Sequence, residues 1–444
     1  MPDGNRVGVR PASAARRTTR GACLIAVLLA SLVALGCARR PAPPRHAGAT
    51  ELAAWVELGP SGVALARVIT ARAACPAVAL ESGSLPMRVR AGPSEPAFPV
   101  LVCEAPIPPG TRSASVGGQR LPLPKADPQR IVVLGDTGCR LKVGHEIQAC
   151  NDPRAWPFAQ VARGAAAWRP DLVIDTGDYL YRELACPSGN AGCAGSPWGD
   201  TWAAWDADFF TPAAPLLRAA PWVVARGDHE LCSRAGEGWF RFLDPRAAPT
   251  RCQDYTEPYA VPIGTLTVLV MDTADADDED PAAAKVAAYA EQFAALREMA
   301  RGSAWLVMHK PLWGLRPAPA EGGRQTLTPL NPTLIAASRG GLPRGVTQVV
   351  SGHVHLFETL GFADGRPPQF VVGTGGTELD PDVSAPLSGQ ALAGTTVTSG
   401  RAIARFGFTT MEPASAGWVV TWRDVDGTAQ TTCTVRGARV SCIP

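Results

Sequence analysis

In the second two-thirds of the chain, seven short buried-type runs are each followed within a few residues by an aspartate, a histidine or a glycine. The runs are Ile131–Leu134, Leu172–Asp175, Trp222–Ala225, Leu266–Met271, Trp305–Met308, Val346–Val350 and Phe370–Val372. Behind them stand Asp136, Asp178, Asp228, Asp272, His309, His353 and Gly373. Short runs that stay apolar instead of alternating predict strands covered on both faces. Helical stretches lie between several of them, most clearly Phe158–Trp168 and Pro281–Ala300, the second opening with a proline suited to a helix N-terminus. Alternating strands and helices predict an α/β domain. In open sheets of that class ligands bind beyond the carboxyl ends of the strands, so these polar residues are expected to meet at one site.

The segment before these runs has a different rhythm. From Glu51 to about Lys125, short apolar runs (Trp55–Leu58, Val63–Thr70, Met87–Val89, Val100–Val102) are punctuated by Gly, Pro and Ser, which predicts a small all-β domain over 51–127. Leu121–Pro128 reads as a linker into the α/β part, 128–444, and Gly417–Asp424 with Ala429–Val435 around Asp-Gly reads as a closing hairpin.

Residues 1–37 read as a targeting segment: Arg16, Arg17 and Arg20 precede an apolar run from Ala22 to Leu35, which ends at Gly36–Cys37. The run is shorter than the roughly 20 residues a membrane-crossing helix needs. Small residue followed by Cys37 is similar to a bacterial lipobox, which implies a signal peptide, a lipidated Cys37 and anchorage to the cell envelope, with plain secretion or an uncleaved anchor as the alternatives. Residues 38–50, with Pro41–Gly48 as PAPPRHAG, form a Pro-rich tether. Residues 1–36 carry five basic side chains and one acid, so the formal +2 of the whole chain becomes 37 − 39 = −2 beyond them. That balance gives no electrostatic footprint for nucleic acid, and leaves the membrane to the anchor alone. Ten further cysteines fall into neighbouring pairs, 75/103, 139/150, 186/193, 232/252 and 433/442, as expected of disulfides in an exported chain.

The chemistry-bearing segments are Gly135-Asp-Thr-Gly138, Gly177-Asp-Tyr-Leu-Tyr181, Gly227-Asp-His-Glu230, His309 in LVMHKP, and Gly352-His-Val-His355. Four of the chain's six histidines sit in them. Carboxylates and imidazoles on adjacent strand ends make the mixed N/O donor set that borderline transition metals prefer. In this order and spacing the segments resemble the calcineurin-like metallophosphoesterases and, within them, the purple acid phosphatases. The subgroup rests on two positions: Gly138 stands where the wider superfamily has a ligand histidine, and Tyr181 stands where the purple subgroup has a phenolate.

The resemblance implies a four-layer αββα sandwich and a hydrolase of phosphate esters, in which a metal-bound hydroxide attacks phosphorus in line. It implies a ferric ion on Asp136, Tyr181 and His355, and a divalent ion (Fe, Zn or Mn) on Asp228, His309 and His353, with Asp178 bridging. His229 is expected to stabilise the transition state or protonate the leaving oxygen, and Glu230 to orient His229. Asp228 departs from the family's asparagine. A small phosphomonoester is the expected substrate; a phosphodiester or nucleotide, or a non-catalytic surface-binding role, are the alternatives. The acidic stretch Asp275–Asp280 is expected to be a solvated loop, and His145 a surface residue.

Overall fold

The computed structural model describes residues 51–318 and 325–443. The expected signal peptide, Cys37 and the tether lie outside these residues. The seven predicted runs are all strands, four of them with one or two residues added or removed at an end. They divide between two sheets. The first has eleven strands and contains Ile131–Leu134, Leu172–Asp175 and Trp222–Val224 side by side and parallel. The second has eight and contains Leu266–Met271, Ser303–Met308, Val346–Ser351 and Gln369–Val372, also parallel.

Residue parity explains the layering. Ile131, Val133, Ile174 and Val223 of the first sheet share one core cluster with Val268, Trp305, Val350 and Phe370 of the second. Their sequence neighbours Val132, Leu134, Val173 and Val224 point the other way, onto Phe158, Val161 and Ala165 of the helix Phe158–Ala167. On the far side Leu269, Leu306 and Val349 meet Tyr289, Phe293 and Leu296 of the helix Ala283–Met299. Successive strand side chains face opposite sides, so a wholly apolar strand must be covered twice. Two such sheets back to back, each covered by helices, give the four-layer αββα sandwich.

The N-terminal region is all-β as expected, and its long strands continue the first sheet. Glu51–Leu58 pairs in parallel with Trp222–Val224, and Ala64–Thr70, Leu101–Pro106 and Arg88–Ala91 follow outward. A separate four-stranded sheet (Gly83–Pro86, Ala77–Leu80, Ala114–Val116, Gln119–Arg120) completes it. The closing hairpin borders Ile131–Leu134 on the other side through Gly407–Ala414. All five neighbouring cysteine pairs are disulfides.

Two arginines pin the N-terminal strands to the catalytic part. Arg67, fully buried, pairs with Glu57 at 3.2 Å and Glu104 at 3.4 Å and donates to the carbonyls of Phe242 at 2.7 Å and Asp244 at 2.5 Å. Arg90 donates to the carbonyls of Phe240, Arg241 and Asp244, which lie at or just beyond the helix Gly236–Phe242. Burial pushes the Glu57 carboxyl up to about 7 despite the nearby arginines. Arg67→Met leaves the Glu57 carboxyl and the Phe242 carbonyl buried without their main partner, while Glu104 and the Asp244 carbonyl keep Arg90. It is expected to lower stability by about 3–5 kcal/mol, read as a reduced denaturant midpoint.

Candidate metal centre

The ligand candidates sit on turns at the carboxyl ends of strands from both sheets, and three of these residues have a left-handed backbone: Asp136 (φ 58°), Asp178 (φ 63°) and His353 (φ 70°). Aspartate tolerates this conformation better than most residues, and the strain is held by bonds between the turns. Asp136 N donates to Gly177 O at 2.9 Å and Thr137 N to Asp178 O at 3.0 Å. Each carboxylate is then aimed by a neighbouring turn. His353 N donates to both Asp136 oxygens at 3.1 Å, and His229 N donates to Asp178 Oδ1 at 2.9 Å. The glycines before these residues are needed for contact: a Cβ on Gly227 would collide with Asp178 Oδ1, and one on Gly352 with Asp136 Oδ2.

Two groups of donor atoms result, sharing Asp178. Asp178, Asp228, His309 and His353 form one, and Asp136, Asp178 and His355 the other, the atoms of each group within 4.8 Å of one another. Tyr181 belongs with the second: its hydroxyl lies 2.6 Å from Asp178 Oδ2, 2.9 Å from His355 Nε2 and 3.4 Å from Asp136 Oδ1. All seven candidates are thus brought together.

The outer nitrogens of the imidazoles are held. His309 Nδ1 faces Thr176 O at 2.9 Å, His355 Nδ1 faces Glu378 O at 2.7 Å, and His353 Nε2 faces Asp278 Oδ2 at 3.0 Å. A carbonyl can only accept, so in His309 and His355 the outward Nδ1 carries a proton and Nε2 is the nitrogen turned to the centre, the orientation that metal-ligating histidines require. This donor set fits two metal ions.

Burial opposes ionisation of Asp228, but hydrogen bonds with His309 and His353 outweigh it and hold the carboxyl well below its usual range. Burial raises the Tyr181 hydroxyl well above its ordinary value, and the charges of Asp178 and Asp136 raise it further. A metal cation supplies the opposite charge that such a cluster needs.

Two expectations change. Glu230 does not orient His229. Its Oε1 accepts from Tyr179 N (2.9 Å) and Leu180 N (3.2 Å), and its Oε2 from Asp178 N and Gly227 N (both 3.0 Å), so the buried carboxylate is spent on two ligand turns. Burial and the charge of Asp178 push it up to about 8. Beside the His229 ring stands Glu183: its Oε1 lies 2.7 Å from Nδ1, an ion-pair contact whose alignment falls short of a hydrogen bond. Second, Asp278 is no merely solvated acid, since it joins His353 to Lys310 Nζ (2.9 Å) and Asn331 Nδ2 (2.9 Å). His145 is exposed as expected, and it lines the cavity over the centre, on the loop closed by Cys139–Cys150.

That cavity has a volume of about 240 Å³. Asp178, Tyr181, Asp228, His229, His353 and His355 line it, with Asp380, and Arg140, Lys142 and Arg316 bring positive charge to its wall. None of these three cations has an ion pair among the described residues, and Arg140 Nε is buried without a hydrogen-bond partner. Glu183 and Asp278 announce themselves in sequence by no motif. The basic residues at 140 and 142 inside a cysteine bracket were the one available hint.

The profile of the family described as Calcineurin-like phosphoesterase matches residues 129–357, just over half of the chain. The chain belongs to this family. It is a hydrolase of phosphoester bonds. A comparison with curated proteins returns no match. Among solved structures, a purple acid phosphatase from yellow lupin (Lupinus luteus) seeds is similar at a TM-score of 0.54 and 15% identity, covering 85% of this chain and 72% of that one. A structure described as PhoD is similar at 0.53 and 12%, covering 91% and 94%. At these identities both attest the fold alone. No helix among the described residues is long and apolar enough to cross a membrane, and the five disulfides suit an exported phosphoesterase.

Asp278→Ala is expected to lower metal affinity by about 10–100-fold through loss of the His353 contact, measured by chelator competition.

Proposed function

We propose that the chain is an exported, acid phosphatase-like phosphomonoesterase with a ferric ion on Asp136, Tyr181 and His355. A divalent ion sits on Asp228, His309 and His353, and Asp178 is shared. The observation that carries the reading is the small cavity faced both by members of each donor group (Asp178, Asp228, His353, His355) and by three cations that are unpaired among the described residues. A phosphoryl group needs that combination, positive charge arranged around oxygens that gain negative charge as the bond breaks. The two metals, when bound, lower the pKa of water to supply a nucleophile and neutralise charge on the phosphoryl group.

The remaining work falls to side chains. Arg140, Lys142 and Arg316 draw the phosphate in and hold its outer oxygens. His229, on the cavity wall and packed on Tyr181 at 3.5 Å between ring centres, meets the leaving oxygen. Asp178, fixed by His229 N, keeps the two metal positions in register. A tyrosine hydroxyl among carboxylates favours a hard, highly charged cation, which is the argument for iron. A diester or nucleotide substrate is the second reading. It is favoured by a groove of about 360 Å³ that shares Asp228 and Arg316 with the cavity and could take a second substituent. The membrane contact is confined to a lipid on Cys37.

Chelation should abolish hydrolysis and metal return should restore it. A panel of mono- and diesters decides between the readings: faster kcat/KM on diesters overturns the monoesterase. His229→Ala is expected to cost about 10²–10⁴ in kcat. A visible absorption band lost in Tyr181→Phe supports iron; active protein free of iron by elemental analysis overturns it.

A further inference from the structure

Three carboxylates converge at the centre, and they are not neutralised alike. Asp136 and Asp178 meet only histidine side chains as ion-pair partners among the described residues. Asp228 meets a guanidinium: Arg234 Nη1 lies 2.6 Å from Asp228 Oδ2 and 3.1 Å from the Asp228 carbonyl. The other carboxylate oxygen, Oδ1, faces His309 Nε2 at 3.2 Å and His353 Nδ1 at 3.0 Å. Asp228 therefore turns one oxygen to the ligand set and gives the other to Arg234.

Arg234 is itself fixed on every side. Its Nε and Nη2 reach Glu183 Oε1 at 2.7 and 2.5 Å, and Nη2 lies 2.6 Å from His229 Nε2. Its loop is closed by Arg234 N→Leu231 O (2.8 Å) and Ala235 N→His229 O (3.1 Å), and Cys232–Cys252 ties it down. Arg234 is not among the residues lining the cavity, so its action on a substrate passes through Asp228 and His229.

Resting on the dinuclear reading above, we propose that Arg234 is a positioning residue with two effects. It locks Asp228 Oδ2, so that the carboxylate serves the centre through Oδ1 alone. Its charge, shared between Asp228 and Glu183, also offsets these acids, so the cavity keeps more of the positive potential that an oxyanion needs. Without Arg234, the same carboxylate would both add a full negative charge and become free to rotate.

The test is a charge cycle on metal-loaded protein, with Arg234→Ala, Asp228→Asn and the double variant beside wild type. Relative to wild type the local charge falls by one unit, rises by one, and returns to balance. Metals per chain are counted by elemental analysis, and inorganic phosphate binding is measured by calorimetry. Arg234→Ala should bind phosphate about ten- to fifty-fold more weakly, as for one charge roughly 7 Å away at an effective dielectric of about 20. The double variant should recover most of that loss, which a merely structural role for Arg234 would not allow. Arg234→Lys should hold phosphate within a few-fold of wild type, and Arg234→Gln replaces the alanine variant if that one fails to fold. The proposal is overturned if phosphate binding survives Arg234→Ala unchanged, or if the double variant binds no better than Arg234→Ala. Wild-type protein that retains no metal overturns the dinuclear reading and this inference with it; intact metal with a failed cycle overturns the inference alone.

Discussion

The carboxylate of Glu230 holds the centre together. It accepts four backbone N–H groups, from Gly227, Asp178, Tyr179 and Leu180, and so joins the turns that carry Asp228, Asp178 and Tyr181. Each donor points into a buried space without another partner of comparable strength, and an orphaned buried donor costs about 1–3 kcal/mol. Two strand ends could diverge by an ångström without this clamp. With it, Asp178 is held where its Oδ1 meets His229 N and its Oδ2 meets Tyr181 and His309. Asp208 does the same one turn further on, accepting from Tyr181 N and Cys139 N and pairing with Arg182.

Charge is distributed around this scaffold in layers. The candidate ligand carboxylates lie innermost, with backbone amides and the inner nitrogens of three histidines against them. Asp278, Glu183 and two carbonyls hold the outer nitrogens or flank the rings; Lys310 stands against Asp278, and Arg234 is shared between Glu183 and Asp228. On the solvent side Arg140, Lys142 and Arg316 remain unpaired among the described residues, which leaves their charge to an incoming anion. Two disulfides, Cys139–Cys150 and Cys232–Cys252, brace the loops bearing Arg140 and Arg234. An oxidising compartment is thus written into the residues around the site as well as into the cysteine count.

The N-terminal strands have a part in this arrangement that their composition hides. Because Glu51–Leu58 lies directly beside Trp222–Val224, the strand that delivers Asp228 is interior to its sheet and has a neighbour on both sides. Arg67 and Arg90 then fasten the outer strands to the chain just after the helix Gly236–Phe242, close in sequence to Arg234. The all-β segment is therefore support for one of the ligand turns.

The sequence by itself determined the strands, the α/β class and the convergence of the strand-end residues, while the four layers came from the family resemblance. Runs such as Ile131–Leu134 and Leu172–Asp175 are local patterns of burial, and a glycine before an aspartate is a local mark of a turn. The disulfides were equally legible, because neighbouring cysteines have few other partners within reach. Only the tertiary structure decided what Glu230, Glu183, Asp278 and Arg234 do. Their partners lie on other turns or are backbone atoms, and a backbone N–H carries no signature in the residue that donates it. The same holds for the N-terminal strands: short apolar runs between turn residues foretell a strand, but which edge it pairs with is settled by long-range packing and by two buried arginines.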